Sequence, residues 1–493
     1  MALTSIVIFI SRSIPTIALW LLSLAIASLT SKYIYRLYLH PLSQTPGPKI
    51  AACTSLWLAY HTYIGDECTV IFNLHQKYGP ILRVAPNDVD IASADAIEPI
   101  YIARGGFPKA KAYSKFDIDG HKTIFSTLTL PERASRAKAV APLFSTASIR
   151  QSEKELMTVF DDFVDRLKRD AGKGAPVDVL NLSRCMAIDA VSTHLFQHRY
   201  GALNEDSGVM SASPFVDAFV GVGAFFNFAP GRLTDFVMAV AARFISSETT
   251  ERAFNRIDKF TGQLVKSVTL ANDTSSARAS YQSRLLEKQS VSQSQIEVKD
   301  VSFAGTDSTS MNTATILWFL AKNPKIYNRL HEEVQKSIAK GEDPASCGYL
   351  RGTVREGLRL SWANPIRLPR EVPVGGWKYH GYYFPAGTSV GVASFQLHQD
   401  EAVFPEPLQY MPERWLQPTN EMLDHFFAFG KGSRACIAQN LGTLEVTMAI
   451  LKVVEADLLR GSSIVGDGIL RRKQWFNSRV EGEQILIRLR DHI

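Results

Sequence analysis

The stretch FAFGKGSRACIAQNLG, residues 427–442, decides how the rest of this chain is read. Gly430 and Gly432 let a loop bend tightly ahead of Cys436. Beyond the cysteine, Ile437, Leu441, Leu444, Met448 and Leu451 recur at alternating steps of four and three residues. That spacing predicts one buried helix face, in a helix that begins at Cys436. N–H groups and the positive dipole end of a helix start stabilise a thiolate. Arg434 adds a cation close by. A lone thiolate without His or Cys neighbours cannot build a zinc site. It can be the single axial ligand of a haem iron. As a nucleophile it would need His and Asn partners that this segment does not supply.

Outward from this loop, composition narrows the class. The 493 residues carry 54 Lys+Arg against 48 Asp+Glu, a net charge of +6, and are 46 % apolar. Disorder is excluded by that apolar content. The charge is too small to argue for nucleic acid, but it suits an acidic partner or a membrane surface. The other cysteines, Cys53, Cys68, Cys185 and Cys347, are widely spaced without a CxxC pair. They read as buried reduced thiols, not as a disulfide framework.

Residues 14–30 carry no charge. At about 1.5 Å per residue they approach the ~30 Å hydrocarbon core of a bilayer. Arg12 precedes them and Lys32, Arg36 and Lys49 follow, a bias that places the C-terminal side in the cytosol. A cleaved signal peptide ending near Ala25-Ile26-Ala27 is the alternative. The Asn-x-Ser/Thr triplets at Asn181 and Asn272 stay unmodified if the body is cytosolic. Pro41, Pro46, Gly47 and Pro48 then make a stiff elbow. The expected organisation is an anchor over 1–31, a Pro-rich hinge over 32–49 and one domain over 50–493.

Within that domain helical patterns dominate. Extended pieces occur at 81–91, broken by Pro86, and at 377–392, with turns at Gly381 and Gly387. The fold class is mainly α with small β-sheets. A helix is expected over 296–322; from Val301 to Ala321 its only charge is Asp307, so it is buried almost all round. Its hydroxyl residues are too numerous for lipid. Asn323-Pro324 ends it and starts the next helix, to about Gly341. Another helix is expected over 350–360.

Phe429-x-x-Gly432-x-Arg434-x-Cys436-x-Ala438 resembles the haem-binding signature of the cytochrome P450 superfamily, with Ala438 where the usual residue is Gly. Two further segments carry the resemblance. Glu356-Gly-Leu-Arg359, with Pro412-Glu413-Arg414-Trp415 downstream, is similar to the family's paired motifs. Ala304-Gly305-Thr306-Asp307-Ser308-Thr309 is similar to its AGxDTT segment. The resemblance covers residues 32–493 and implies the family fold, an N-terminal transmembrane helix and haem b. It implies Cys436 as iron ligand, Phe429 packed near the sulfur, and Arg434 on a haem propionate. Arg370 and Arg133 are further propionate candidates by alignment, with Arg136 or Lys138 compensating. Glu356, Arg359 and Arg414 are expected as a buried structural triad. Asp307 and Ser308 are expected as an acid–alcohol pair delivering protons, with Thr309 as a substitute and Gly305 as a local kink.

The implied activity is a haem-thiolate monooxygenase that uses O2 and oxidises a bulky apolar substrate. The run YRLYLHPLSQTPGPK and the chain as a whole are similar to fungal microsomal members of the trichodiene-oxygenase-like group, so secondary metabolism of terpenoids or polyketides is expected. Too few residues follow the haem segment for a fused flavin domain. Electrons are therefore expected from NADPH–cytochrome P450 reductase, with cytochrome b5 as an additional donor, at the endoplasmic-reticulum membrane. Lys138 and Lys431 suit an acidic redox partner. Phe116, Phe125, Phe225, Phe226, Phe228, Phe303, Ala304, residues 363–366, Trp475 and Phe476 are the expected pocket residues. A haem-thiolate isomerase or dehydratase, and a membrane-tethered haem-binding protein without turnover, are the alternatives.

Overall fold

From Val301 to Ala321 the central helix carries no charge but Asp307, which is why it can lie buried in the core. In the computed structural model it covers Val291–Lys322. The structure describes residues 2–490 except 207–209, 230, 232, 233, 235, 239, 241–246 and 272–278, with backbone alone at 2–17, 270 and 271. The triplet that begins at Asn272 therefore lies outside the described residues. The central helix starts ahead of the expected 296 because Ser290 and Gln293 cap each other's backbone N–H groups in a capping box. It ends at Asn323, and Pro324–Ala339 follows as the next helix.

The helix Val179–Phe196 crosses the central helix so closely that a Cβ at Gly305 would stand 2.7 Å from Val191 Cγ2. Gly305 therefore answers a packing need, and the helix runs through it without a break, in place of the expected kink. Gly348–Leu360 and Gln439–Glu455 also pack against the central helix. A Cβ at Gly357 would meet Ile316 Cγ1 at 2.1 Å. The helix after Cys436 starts at Gln439, so the cysteine sits in the loop ahead of it.

The extended segments form a four-stranded sheet in the order Ile81–Ala85, Asp88–Ile91, Ser389–Gly391, Arg370–Glu371. Its middle pair is parallel and its outer pairs antiparallel. Pro86 and Asn87 make the turn of the first hairpin. The N-terminal helix Ala2–Ile34 carries an apolar stretch, Ala18–Leu39, that is exposed and long enough to cross a membrane. The Pro-rich segment after it lies against the sheet. Leu42 is fully buried beside Ile81, Val89 and Ile91, and Arg83 donates to the Arg36 carbonyl at 2.9 Å.

One buried carboxylate ties the helix Gly348–Leu360 to the segment that leads into the cysteine loop. Glu356 and Arg359 are both fully buried, and Arg359 grips the carboxylate through Nε at 2.9 Å and Nη2 at 2.8 Å. The i, i+3 spacing puts them on one helix face. Arg414 Nε, Trp415 Nε1 and the Met411 N–H also donate to Glu356, at 3.3, 2.8 and 3.1 Å. Removing the charge leaves a buried guanidinium unpaired. Glu356→Gln should cost about 3–5 kcal/mol of stability and lower the yield of haem-loaded protein. Denaturant unfolding at constant haem occupancy measures this. A loss under 1 kcal/mol would mean that the pair is not buried in solution.

Candidate active site

The cysteine loop is fixed from behind. The Cys436 N–H donates to the Phe429 carbonyl at 2.9 Å, and Gly430 N–H to Phe427 at 3.0 Å. The Phe427 N–H donates to His398 Nε2 at 3.0 Å, so the proton of His398 is on Nδ1, which donates to the Arg359 carbonyl at 3.0 Å. Burial, helped by Arg359, pushes the His398 pKa down to about 3, and the ring stays neutral. A chain of contacts thus runs from the Glu356 pair to the residue that opens the cysteine loop.

Cys436 is open on the side of a large internal cavity and enclosed by protein elsewhere. Burial raises its thiol pKa, and the Ala438 N–H pointed at the sulfur offsets only part of this. The expected helix-start stabilisation is therefore outweighed in the protein alone. Iron would reverse the balance, since a coordinating thiol is deprotonated outright. Phe429, Arg434 and Ala438 line the cavity. Ala438 has φ −93°, so an alanine fits here without strain. Gly432 stands outside the cavity, contrary to its expected cofactor role. It has φ +77° and its Cβ would lie 1.8 Å from the Tyr101 carbonyl oxygen. It is glycine because another backbone passes there.

Four cations face the same cavity: Lys109, Arg133, Arg370 and Arg434. Lys109 and Arg434 are depressed by their cationic neighbours. Burial, then Arg133 and Arg370, push Arg434 down to about 10. Burial and the three arginines hold Lys109 well below its ordinary range, with Asp300 opposing them. Lys109 Nζ donates to the Phe125 carbonyl at 2.6 Å, and Arg434 Nη2 to Leu128 at 3.1 Å. Among the described residues Nη1 of Arg434 has no partner. An excess of buried positive charge with an orphaned donor fits the two carboxylates of a haem. Arg136 does not join this group. It pairs with Glu297 at 2.7 Å, and Lys138 is exposed on the surface. Lys109 is the residue that sequence reasoning missed. No motif surrounds it, and only the fold brings it to Arg370.

Phe116, Phe125, Phe303, Ala304, Ala363 and Phe476 also line the cavity, the Phe125 ring with its centroid 3.9 Å from Lys109 Nζ. Phe219 joins them, stacked on Phe303 with ring centroids 4.7 Å apart. Phe225 and Phe228 turn towards Tyr63 instead, and Phe226 packs edge-on to Tyr113. Trp475 and Ile366 also lie behind the lining.

The proton-handling candidates divide. Ser308 faces the cavity, its hydroxyl donating to the Ala304 carbonyl at 3.2 Å. Asp307 is buried and does not line the cavity, so the expected acid–alcohol pair is not in contact. One residue along a helix rotates the side chain by about 100°, and Asp307 is taken up by Asn477, whose Nδ2 donates to it at 2.6 Å. Burial raises its pKa to about 7 against the pull of Arg184 and Asn477. Thr309 also lines the cavity but donates to Glu445 Oε2 at 3.2 Å, an acid that burial raises to about 8.

A thiol aimed into a cavity, a cationic edge and an aromatic roof define a haem-thiolate site. The chain belongs to the cytochrome P450 family, whose model matches residues 46–456. It is 34% identical over 481 residues to the cytochrome P450 monooxygenase mfmF of Annulohypoxylon moriforme, covering 92% of this chain and 96% of that protein. It is 29% identical to the cytochrome P450 monooxygenase aneF of Aspergillus aculeatus, over 86% of this chain and 90% of that one. It is 26% identical to the fusicoccadiene C-8 hydroxylase of Alternaria brassicicola, over 84% of each. The protein is a cytochrome P450 monooxygenase that binds haem b and uses O2, a redox partner and a small-molecule substrate.

From its place in the cavity lining, Lys109 would supply one charge-assisted contact to a haem carboxylate. Lys109→Leu should speed haem loss to apomyoglobin about tenfold, the value of one such contact, with the thiolate-type CO spectrum retained. An unchanged rate would remove Lys109 from the cradle.

Proposed function

We propose that this protein hydroxylates or epoxidises a bulky apolar skeleton, terpenoid or polyketide, in fungal secondary metabolism. The aromatic roof that faces Cys436 carries the reading, because Phe116, Phe125, Phe219, Phe303 and Phe476 leave little to bind but apolar surface. The relative whose name specifies a C-8 hydroxylation of fusicoccadiene supports the same substrate class. Haem b, when bound, supplies the redox centre at which dioxygen is split and one oxygen atom is inserted into substrate.

The residues of the chain do the rest. Cys436 would give its thiolate to the haem iron. Arg133, Arg370, Arg434 and Lys109 would hold the propionates. Ser308, with its hydroxyl at the cavity wall, orients water and passes on the protons that oxygen cleavage consumes. Thr309 and Asp307 stand behind it, each bonded to a buried neighbour. Glu356, Arg359 and Arg414 keep the cysteine loop in place. Electrons come from NADPH–cytochrome P450 reductase, with cytochrome b5 as a further donor. The apolar stretch Ala18–Leu39 anchors the body in a single pass to the cytosolic face of the endoplasmic reticulum.

Three variants test this. Cys436→Ser should abolish the thiolate-type ferrous–CO spectrum. Ser308→Ala should keep that spectrum, lower product per NADPH several-fold and release the difference as hydrogen peroxide. Ser308→Thr should couple at least as well as the parent, since its methyl restricts rotation. Substrate turnover without any reductase would overturn the monooxygenase reading in favour of an isomerase. Equal coupling in Ser308→Ala would remove Ser308 from the proton path.

A further inference from the structure

Asn477 belongs to none of the motifs, yet it touches two parts of the site. It lines the cavity and holds Asp307 through Nδ2 at 2.6 Å. Its neighbour Phe476 is a central ring of the roof, with centroids 4.8 Å from Phe116 and 5.0 Å from Phe226.

The segment that carries both is fastened at each end. Gln474 N–H donates to the Gly65 carbonyl and its side chain to Thr69 Oγ1, both at 2.7 Å. Ser478 N–H donates to the Ala363 carbonyl at 3.0 Å. Between these points Trp475 Nε1 donates to the Tyr63 carbonyl at 3.2 Å and the Phe476 carbonyl accepts from Asn364 Nδ2 at 3.1 Å. Asn477 itself lines the cavity, so a ligand that fills the pocket meets the side chain whose amide holds Asp307.

We propose that Asn477 is a positioning residue that couples filling of the substrate pocket to protonation of Asp307, and so to proton supply at Ser308. The proposal rests on the monooxygenase reading above. The sign follows from charge. An amide N–H donated to a carboxylate favours the ionised form, so its withdrawal favours uptake of a proton. The other charged groups facing Asp307 are Arg184, on the helix Val179–Phe196, and Asp217, on the helix Ala212–Val222. They are paired with each other at 2.9 Å. With the pocket empty, Asp307 is held by the amide and turned from Ser308. With it filled, the acid takes a proton, is released and can turn to resupply the hydroxyl. Reduction without substrate would then lack its proton source.

The test follows the protonated-carboxyl stretch of Asp307 in the haem-loaded protein by infrared titration. The band is assigned by its loss in Asp307→Asn. The probe is 4-phenylimidazole, an azole that ligates haem iron and fills the space above it. In the parent the midpoint starts near 7 and should rise by about one to two pH units with the azole, the effect of losing one hydrogen bond to a charged group. In Asn477→Leu it should start that much higher and move no further. Asn477→Ser, too short to span the gap, should behave the same way. Equal midpoints in parent and variants would overturn the proposal. So would an azole shift that survives in Asn477→Leu, since exclusion of water alone would then explain it. A normal azole shift of the haem absorption band beside such a result confines the failure to the coupling. Loss of that shift in the parent refutes the haem site on which the proposal stands.

Discussion

The Glu356 carboxylate is the point from which the proximal half of the molecule is held. It is fully buried, and five donors converge on it from Arg359, Arg414, Trp415 and the backbone of Met411. An isolated ion pair at this depth is a poor source of stability, because desolvation consumes most of the attraction. Here its value is positional. The donors come from one helix and from a chain segment with little secondary structure of its own. Arg359 passes the constraint to His398, and His398 to the first residue of the cysteine loop. His398 can serve only as a neutral ring, with one nitrogen accepting and the other donating. Burial beside Arg359 keeps it so.

The cavity shows the opposite arrangement, cations gathered together whose hydrogen bonds go to carbonyl and hydroxyl oxygens. Lys109, Arg133, Arg370 and Arg434 raise one another's energy, as the lowered pKa values of Lys109 and Arg434 report. A fold does not keep such a group for stability. Its positive potential is relieved by a bound dianion, so part of the affinity for haem is stored as repulsion in the protein alone. The roof is assembled on different terms, from aromatic rings that pack on one another whether or not a ligand is present.

What could be read in the sequence was whatever is local. The cysteine loop, the i, i+3 pair of Glu356 and Arg359 and the uncharged helix around Ser308 each announce themselves within a few residues. Even the early start of the central helix was written in Ser290 and Gln293. Lys109, Trp415 at the Glu356 carboxylate, and Asn477 could not be read this way, since each acts on a partner far along the chain. The same limit hides part of the reason for Gly305 and Gly432. Gly432 makes the loop bend that the sequence suggests, at φ +77°, while Gly305 sits where a kink was expected. The structure shows them yielding space to Val191 and to the Tyr101 backbone.

That reassignment bears on how protons reach the cavity. A helix that could bulge at Gly305 would move Asp307 and Ser308 together, and the pair would act through the backbone. Val191 fills the space beside Gly305, and the close crossing at Gly357 and Ile316 clamps the helix again further along. Close-packed interfaces resist continuous deformation. Movement is therefore left to the side chains, each with a local restraint: Ser308 on the Ala304 carbonyl, Thr309 on Glu445, Asp307 on Asn477. The first two restraints lie within the helix scaffold. The third lies on a loop that also carries the roof ring Phe476, which joins the acid to the wall of the pocket from outside the helix scaffold.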